Sequence, residues 1–554
     1  MPTTQPPNSS FKSLTSVDST KLTSRLRRTC GLSGPDIAHI SQFLLNAESD
    51  VKNYQSEIRK RHAEIVSFQN RISGLQRHME ACRSLLAPIR KLPLEVLTKV
   101  FIEFCAEETT MGKVFGCPPL TLSHVSGGWR ELALSTPQLW STIDIDFDHT
   151  KSRDSDEIGW SQLVIEILIR SKKYSLTLSI HSGDTIENLQ DADIRLIQTL
   201  AAQSERWRDV TLELDADSLL DESLSVIRGQ LPMLESLTLK NLWEYPDFPE
   251  IDIFDNAPKL ISFSAGSVSA LDPTLPWNQL TNLQLTDCSF LEVLQLMEVC
   301  PRLHELTYVG DFYQNEAHPD YHPEQIRSFN HVNSFTIKTT SVNDTFMLRS
   351  MFAWLSFPPL ETLSISADQM MPAWDWEEIP DTIALFISNS GCRLTTLSLK
   401  HMQLSDVDIL SILEACPHLR KLVLHGWKYE EQHKVNPAVV VNAGVTTELA
   451  AKLAVNHAQY NPASTPIVPK LEELEFGFHY QSALFSGRRL VAALCRLVES
   501  RWLPDKEFAD DIGVTCLESV SFVVMGSDCK AEYFTTPMNL REVGLRLEVS
   551  GALS

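Results

Sequence analysis

Two clusters of carboxylates, Asp375, Glu377, Glu378 and Asp381, and Asp247, Glu250, Asp252 and Asp255, are groupings that could in principle bind a cation. Carboxylate oxygens are what hard cations take as ligands. Both clusters are flanked by Trp and Pro, a composition of loop faces, and no metal site is assigned to either. The 16 histidines are dispersed. No Walker-type phosphate loop, Gly-x-Gly-x-x-Gly, Gly-x-Ser-x-Gly or His-Glu-x-x-His pattern occurs, so the sequence spells no phosphate cradle, nucleophile elbow or zinc pair. Eleven cysteines stand at 30, 82, 105, 117, 288, 300, 392, 416, 495, 516 and 529, with no Cys-x-x-Cys pair and no zinc-ligand spacing to His. They read as small buried residues of a reduced compartment. The expectation is a noncatalytic chain without cofactor. Trp243, Trp374, Trp376 and Trp427 closely follow predicted strands, where an exposed indole anchors a ligand and a packed one closes a core.

Leucine spacing sets out the elements that would position such residues. A Leu-x-x-Leu-x-Leu pattern starts at Trp207, Val210, Leu212, recurs at triplets such as Leu234, Leu237, Leu239 and Leu280, Leu283, Leu285, and ends at Leu540, Val543, Leu545. Leu260, Phe263, Ala265 is a weaker copy. Many units are spaced near the roughly 20 to 29 residues of a leucine-rich repeat. Within each, the last two apolar residues flank an outward polar one, as in a short strand. Helical segments lie between: Asp406 to Cys416 carries Val407, Leu410, Ile412 and Leu413 and stops at Cys416-Pro417, as an earlier one stops at Cys300-Pro301. Such units bury their leucines only by stacking. The predicted fold class is an α/β repeat, with an irregular leucine-rich-repeat solenoid over 148–554. Its outward positions Thr238, Gln284, Thr307, Ser364, Ser398, Val423 and Glu475 are the candidate target-binding surface. Long gaps separate Leu419 from Leu471 and Leu471 from Leu517. The first holds Ala438 to Val455, read as a helix or an excursion from the array and a candidate for partner contact.

Residues 88 to 147 precede the repeats. Pro93 suits the first turn of a helix, and Val96, Leu97, Val100, Phe101 and Phe104 fall on one face of it. Glu107 to Pro119, with Gly112, Gly116, Pro118 and Pro119, is expected to be a loop. A second helix is expected from about Leu120, with Leu122, Val125, Trp129 and Leu132 on one stripe. Gly127-Gly128, at about 0.8 to 1.0 kcal/mol per glycine relative to Ala, is expected to break or bend it. Helices this short are marginal alone, so each must pack on the chain or on a partner.

The Leu92-Pro93-x-Glu95-hydrophobic-Leu97 opening, Trp129, and the Thr136-Pro137-x-Leu139-Trp140 close resemble an F-box in the form common in fungi. The long loop and the two glycines depart from the commonest pattern. In that family the motif docks on a small Skp-type adaptor, which joins a cullin scaffold carrying a RING subunit and thereby a ubiquitin-conjugating enzyme. The resemblance implies that Leu92, Pro93, Val96, Leu97, Val100 and Phe101 face the adaptor, with Leu122, Val125 and Trp129 joining them or closing the motif's own small core. With the repeats, the chain resembles the leucine-rich-repeat class of F-box proteins. That implies a noncatalytic substrate-recognition subunit of a cullin-RING (SCF-type) ubiquitin ligase, whose repeats select a protein target. The alternative is a coiled-coil and repeat scaffold without ubiquitin chemistry.

Upstream, over 36–87, heptads take over. One seam position reads Ile37, Leu44, Val51, Ile58, Ile65, Ile72, Met79, Leu86; the other reads Ile40, Ala47, Tyr54, Arg61, Phe68, Leu75, Cys82. This period predicts a coiled coil, roughly 75 Å long at 1.5 Å per residue. Its partner is another helix, most simply in a homodimer, and a helix folded back on the repeats is the alternative. Residues 1–35, rich in Pro, Ser and Thr, are expected to be a disordered tail. The net charge of −23 and pI near 5.1 argue against a general nucleic-acid or anionic-membrane binder. Arg25, Arg27 and Arg28 read as a solvated flank. Without a long apolar run or an apolar signal core, an intracellular protein is expected, in cytoplasm or nucleus.

Overall fold

A computed structural model describes residues 26–27, 31–110, 117–147, 157–182, 191–214, 222–240, 252–266, 274–286, 288–310, 326–339, 344–367, 379–402, 404–426, 445–457, 466–479 and 486–553. Most of the predicted tail lies outside these residues. So do Trp243, Trp374, Trp376, Trp427, Asp247, Glu250, Asp375, Glu377 and Glu378. The chain divides into two compact units, Met1–Val100 and Phe101–Ser554.

The first unit is dominated by one helix, α1 (Gly34–Leu86). Ser33 caps it by accepting the Asp36 N–H at 3.4 Å, Pro35 stands in the first turn, and Pro88 follows its end. Both heptad seams run its length, as the spacing predicts, and Arg61 pairs within the helix with Glu57 at 3.1 Å and Glu64 at 3.2 Å. A short 3-10 turn, Pro88–Lys91, leads to α2 (Leu94–Thr110). Pro93 immediately precedes α2, and its carbonyl accepts the N–H groups of Val96 and Leu97.

α2 runs to Thr110, so the expected loop is shorter at both ends: α3 (Pro118–Val125) begins at the Pro118-Pro119 pair, which suits a first helical turn. The single second helix of the sequence reading is in fact two. Ser126 is fully extended, ends α3, and caps α4 (Gly127–Ser135) by accepting the Trp129 N–H at 3.3 Å. The break falls where the two glycines weaken helix propensity, and a serine beside them supplies the new cap. A 3-10 turn, Pro137–Trp140, then delivers the chain to the first strand.

Among the described residues, fourteen strands form one open, all-parallel sheet in chain order. They are β1 (Thr142–Asp146), β2 (Leu176–His181), β3 (Trp207–Glu213), β4 (Ser236–Lys240), β5 (Ser262–Gly266), β6 (Asn282–Thr286), β7 (Glu305–Gly310), β8 (Ser334–Thr339), β9 (Thr362–Ala367), β10 (Thr396–Lys400), β11 (Lys421–His425), β12 (Glu473–His479), β13 (Ser519–Cys529) and β14 (Arg546–Leu553). Each strand sends alternate residues inward, and these meet their neighbours in register: Leu237 beside Phe263, Leu283 beside Leu306, Leu397 beside Leu422, all buried. The crossovers carry the helices, whose apolar faces cover that side of the sheet. An α/β repeat results.

One turn recurs before the strands. In Leu231-Pro232-Met233-Leu234, Ala257-Pro258-Lys259-Leu260, Cys300-Pro301-Arg302-Leu303, Phe357-Pro358-Pro359-Leu360, Cys416-Pro417-His418-Leu419 and Val468-Pro469-Lys470-Leu471, the first residue's carbonyl accepts the final leucine's N–H. Proline's fixed φ suits the second position of such a turn. The residue after that leucine then donates to the preceding repeat, as Glu235 does to Arg208, Glu361 to Asn333 and Glu472 to Arg420, each at 2.8 Å. Turn and bond together hold these copies in the same register.

Three sequence expectations need correction. The sheet begins earlier than Trp207, because Ile143 and Ile145 of β1 and Leu176, Leu178 and Ile180 of β2 already belong to it. The last unit is shifted: Leu540 lies in the helix Thr535–Glu542, Val543 is exposed, and the strand's inward pair is Leu547 and Val549, in register with Val520 and Phe522. In the helix Asp406–Glu414 the core takes Ile409, Ile412 and Leu413, while Val407 is exposed. Neither long gap adds a strand to the sheet among the described residues, since β11 pairs directly with β12 and β12 with β13. The described part of the first gap holds the helix Thr447–Leu453, packed through Leu449, Ala450 and Leu453.

Candidate functional site

Two surfaces carry the sequence-derived candidates. At the start of α2 the apolar residues split between two sides. Leu92, Val96 and Val100 are about two-fifths exposed and Pro93 is exposed, whereas Leu97 and Phe101 are buried. Positions 96 and 100 share one helix face and 97 and 101 the next, so α2 anchors itself by one stripe and presents the other.

Beyond Val100, Phe101 meets Trp129 edge to face with ring centroids 4.8 Å apart. Leu122 is buried, Val125 is exposed and Trp129 is half-buried. Of these three, Leu122 and Trp129 close a small core and Val125 stands outside it. Arg130 joins the helices by donating to the Ser123 carbonyl at 3.0 Å. Leu139 and Trp140 complete the structure inward: the Trp140 indole donates to the Ala133 carbonyl at 2.8 Å, and the Arg170 guanidinium lies 4.5 Å over its ring. Trp140 thereby links α4 to the helix Glu157–Ser171.

The second surface is the open face of the sheet. Thr238, Gln284, Thr307, Ser364, Ser398, Val423 and Glu475 lie in a single row across it, filled out by Ser264 on β5 and Thr336 on β8. Gln284 is exposed and Thr238, Thr307, Ser364 and Glu475 half-buried, but Ser398 and Val423 are buried and offer little to a ligand. From β4 to β10 the row is hydroxyls and one amide, able to donate and accept hydrogen bonds without carrying charge.

Charge concentrates at the two ends of the row, around two histidines that sequence reading did not single out. His181 lies between Asp144 at 3.4 Å and Glu213 at 2.8 Å, and Lys240 reaches Glu213 at 3.4 Å. The hydrogen bond to Asp144, aided by Glu213, raises the imidazole pKa above its usual value against the opposing effect of burial. His425 donates from Nε2 to the Glu475 carboxylate at 2.6 Å, with Lys400 at 3.7 Å on the same carboxylate. Here burial dominates and lowers the pKa, because Lys400 offsets the attraction of Glu475. The two environments therefore shift their histidines in opposite directions. Their signal in the sequence was positional: each ends a strand, with a carboxylate on the next strand in register for His181 (Glu213) and two residues before the register position for His425 (Glu475, ahead of Gly477).

Among the described carboxylates of the two acidic clusters, Asp252 is paired with Arg228 at 2.5 Å. No group of three or more His, Cys, Asp or Glu among the described residues is arranged to hold a metal ion. Cys288, Cys300, Cys416, Cys495 and Cys529 are buried, and burial pushes the thiols of Cys300 and Cys416 up to about 12. Cys82, expected to be buried, is exposed on α1. No helix among the described residues is long and apolar enough to cross a membrane. No protein-family model matches the chain, and a search of curated proteins finds no match.

Proposed function

We propose that this chain is a noncatalytic substrate-recognition subunit of a cullin-RING ubiquitin ligase, in which an F-box segment docks a Skp-type adaptor and a leucine-rich-repeat solenoid binds a protein target. The observation that carries the reading is the split at α2: Val96 and Val100 are exposed on a helix that Leu97 already anchors, with Leu92 exposed just ahead of it. A helix stabilised by one stripe has no structural need for a second. Burying the exposed fractions of the three side chains contributes roughly 2 to 4 kcal/mol before association costs, so an adaptor must hold more of the motif than this edge.

The row from Thr238 to Glu475 would take the target, its hydroxyls and amide suiting extended backbone and small polar side chains. The subunit's contribution to catalysis is proximity, holding a target lysine near a conjugating enzyme supplied by other subunits. The reading is tested by co-purifying the full chain with a Skp-type adaptor, using Val96→Asp with Val100→Asp as the control. A complex lost in the double variant supports the ligase reading. Absence of a complex with the unaltered chain leaves the scaffold reading in its place.

A further inference from the structure

On α1 the apolar seam is open over most of its length, Ile37 and Leu44 included. Val51, Ile58, Ile65, Phe68, Ile72 and Leu75 are each more than half exposed, while Ile40, Phe43 and Ala47 are half-buried and Asp50 is buried. An apolar stripe of this length with flanking charges calls for another helix, and the flanking charges specify which one, in which direction and in which register.

In a parallel pair of identical helices, Arg61 faces Arg61 and His78 flanks Arg83, with Glu57 beside His62 as the one attractive contact. Antiparallel pairing sets the two seam positions against each other and offers registers seven residues apart. Placing Ile58 against Arg61 of the other copy sets Glu57 beside Glu64. Placing Ile65 against Arg61 sets Glu64 beside Glu64, and placing Ile72 against Phe68 sets Arg71 beside Arg71. The register with Ile65 against Phe68 has none of these conflicts. It puts Glu64 beside Arg71, Glu48 beside Arg83 and Glu57 beside His78, each twice by symmetry, and overlaps the helices from Ala47 to Leu86.

We propose that α1 pairs antiparallel with α1 of a second copy of the chain, with Ile65 and Phe68 of each copy packed about the two-fold axis. Arg61 then lies against Ile72 of the other copy. Its bonds to Glu57 and Glu64 draw its charge to the rim and leave its stem over the apolar layer. The overlap takes in the exposed Val51 to Leu75 and leaves out the half-buried Ile40 and Phe43. This pairing is independent of adaptor binding, and each can fail alone.

The register places Val51 against Cys82 of the other copy, whereas two Cys82 residues stand roughly 46 Å apart along the axis. The test uses the full chain carrying Val51→Cys, oxidised with oxidised glutathione, which takes up the two electrons, and mapped by peptide mass spectrometry. The expected product is an intermolecular disulfide between the thiol introduced at position 51 and Cys82. It is absent when Cys82→Ser is added. In the unaltered chain light scattering gives twice the chain mass; Glu64→Lys raises the dissociation constant tenfold or more, and Glu64→Lys with Arg71→Glu restores it. A Cys82–Cys82 disulfide in the unaltered chain overturns the orientation. A single-chain mass at micromolar concentration overturns the pairing.

Discussion

The edge of one ring in the Phe101–Trp129 pair meets the face of the other at a centroid distance of 4.8 Å, joining α2 to α4 across the intervening α3. Phe101 is 1% exposed, so truncating it leaves a cavity with no ready collapse. Phe101→Ala is expected to cost about 3 to 5 kcal/mol. Trp129→Phe, at a half-buried site, is expected to cost less than half as much. Denaturant melts of the full chain followed by far-UV circular dichroism check the ranking.

Arg501 is fully buried, and among the described residues its guanidinium has backbone carbonyls rather than a carboxylate as partners. It donates to Leu453 at 2.7 Å, Ile467 at 2.7 Å and Val468 at 3.0 Å. Burial pulls its pKa down to about 10, which still leaves it charged at neutral pH. Lysine carries the charge but not the fork that reaches three acceptors. Arg501→Lys is expected to lose about 2 to 4 kcal/mol, and hydrogen exchange is expected to rise first in residues 445–457 and 466–471.

The two histidines have opposite pH signatures. His181, whose pKa is raised in the fold, contributes stability that is full below the ordinary histidine value and fades as pH rises through the folded value. His425, whose pKa is lowered, costs stability as pH falls below the ordinary value towards the folded one, because the unfolded chain then binds more protons. Removing His181 should therefore destabilise more at about pH 5.5 than at about pH 8, and removing His425 should do the reverse. Melts of His181→Gln and His425→Gln at roughly these two pH values separate the cases.

Gly477 gives the His425 ring its place. A Cβ at 477 would stand 2.6 to 2.9 Å from three ring atoms, too close for either to stay. Gly477→Ala is expected to push the imidazole off Glu475, whose contact raises the ring's pKa, and NMR titration should then show the pKa falling further below the ordinary histidine value. An unchanged titration would mean that the Glu475 contact does not depend on this glycine.

The sheet was legible in the sequence because its determinant is local: inward Leu at fixed spacing followed by a turn, repeated until the strands have no partner but one another. The triplets from Leu234, Leu237, Leu239 to Leu517, Val520, Phe522 obey it. Leu178 and Leu547 escaped notice because Ser175 and Gly544 stand where the other units carry their leading apolar residue. The heptads of α1 were equally plain. What spacing alone did not reveal was the division of α2, where Val96 and Leu97 are chemically alike and only the fold decides which is exposed. Nor did it reveal the histidine pairs, since His425 and Glu475 are fifty residues apart in sequence and meet only through the register of β11 with β12.

That division of α2 also fixes which substitutions probe docking. Leu97→Asp would place a carboxylate in a buried site and confound folding with binding, whereas Val96→Asp and Val100→Asp alter an exposed edge. The most direct measurement is a calorimetric titration of a Skp-type adaptor into the full chain, into the Val96→Asp, Val100→Asp double variant, and into Val407→Asp as an exposed control on the repeat helix Asp406–Glu414. The account predicts one adaptor per chain, affinity reduced at least a hundredfold in the double variant, and no change in the control. Equal affinity in all three, or no heat of binding to a folded chain, would contradict it.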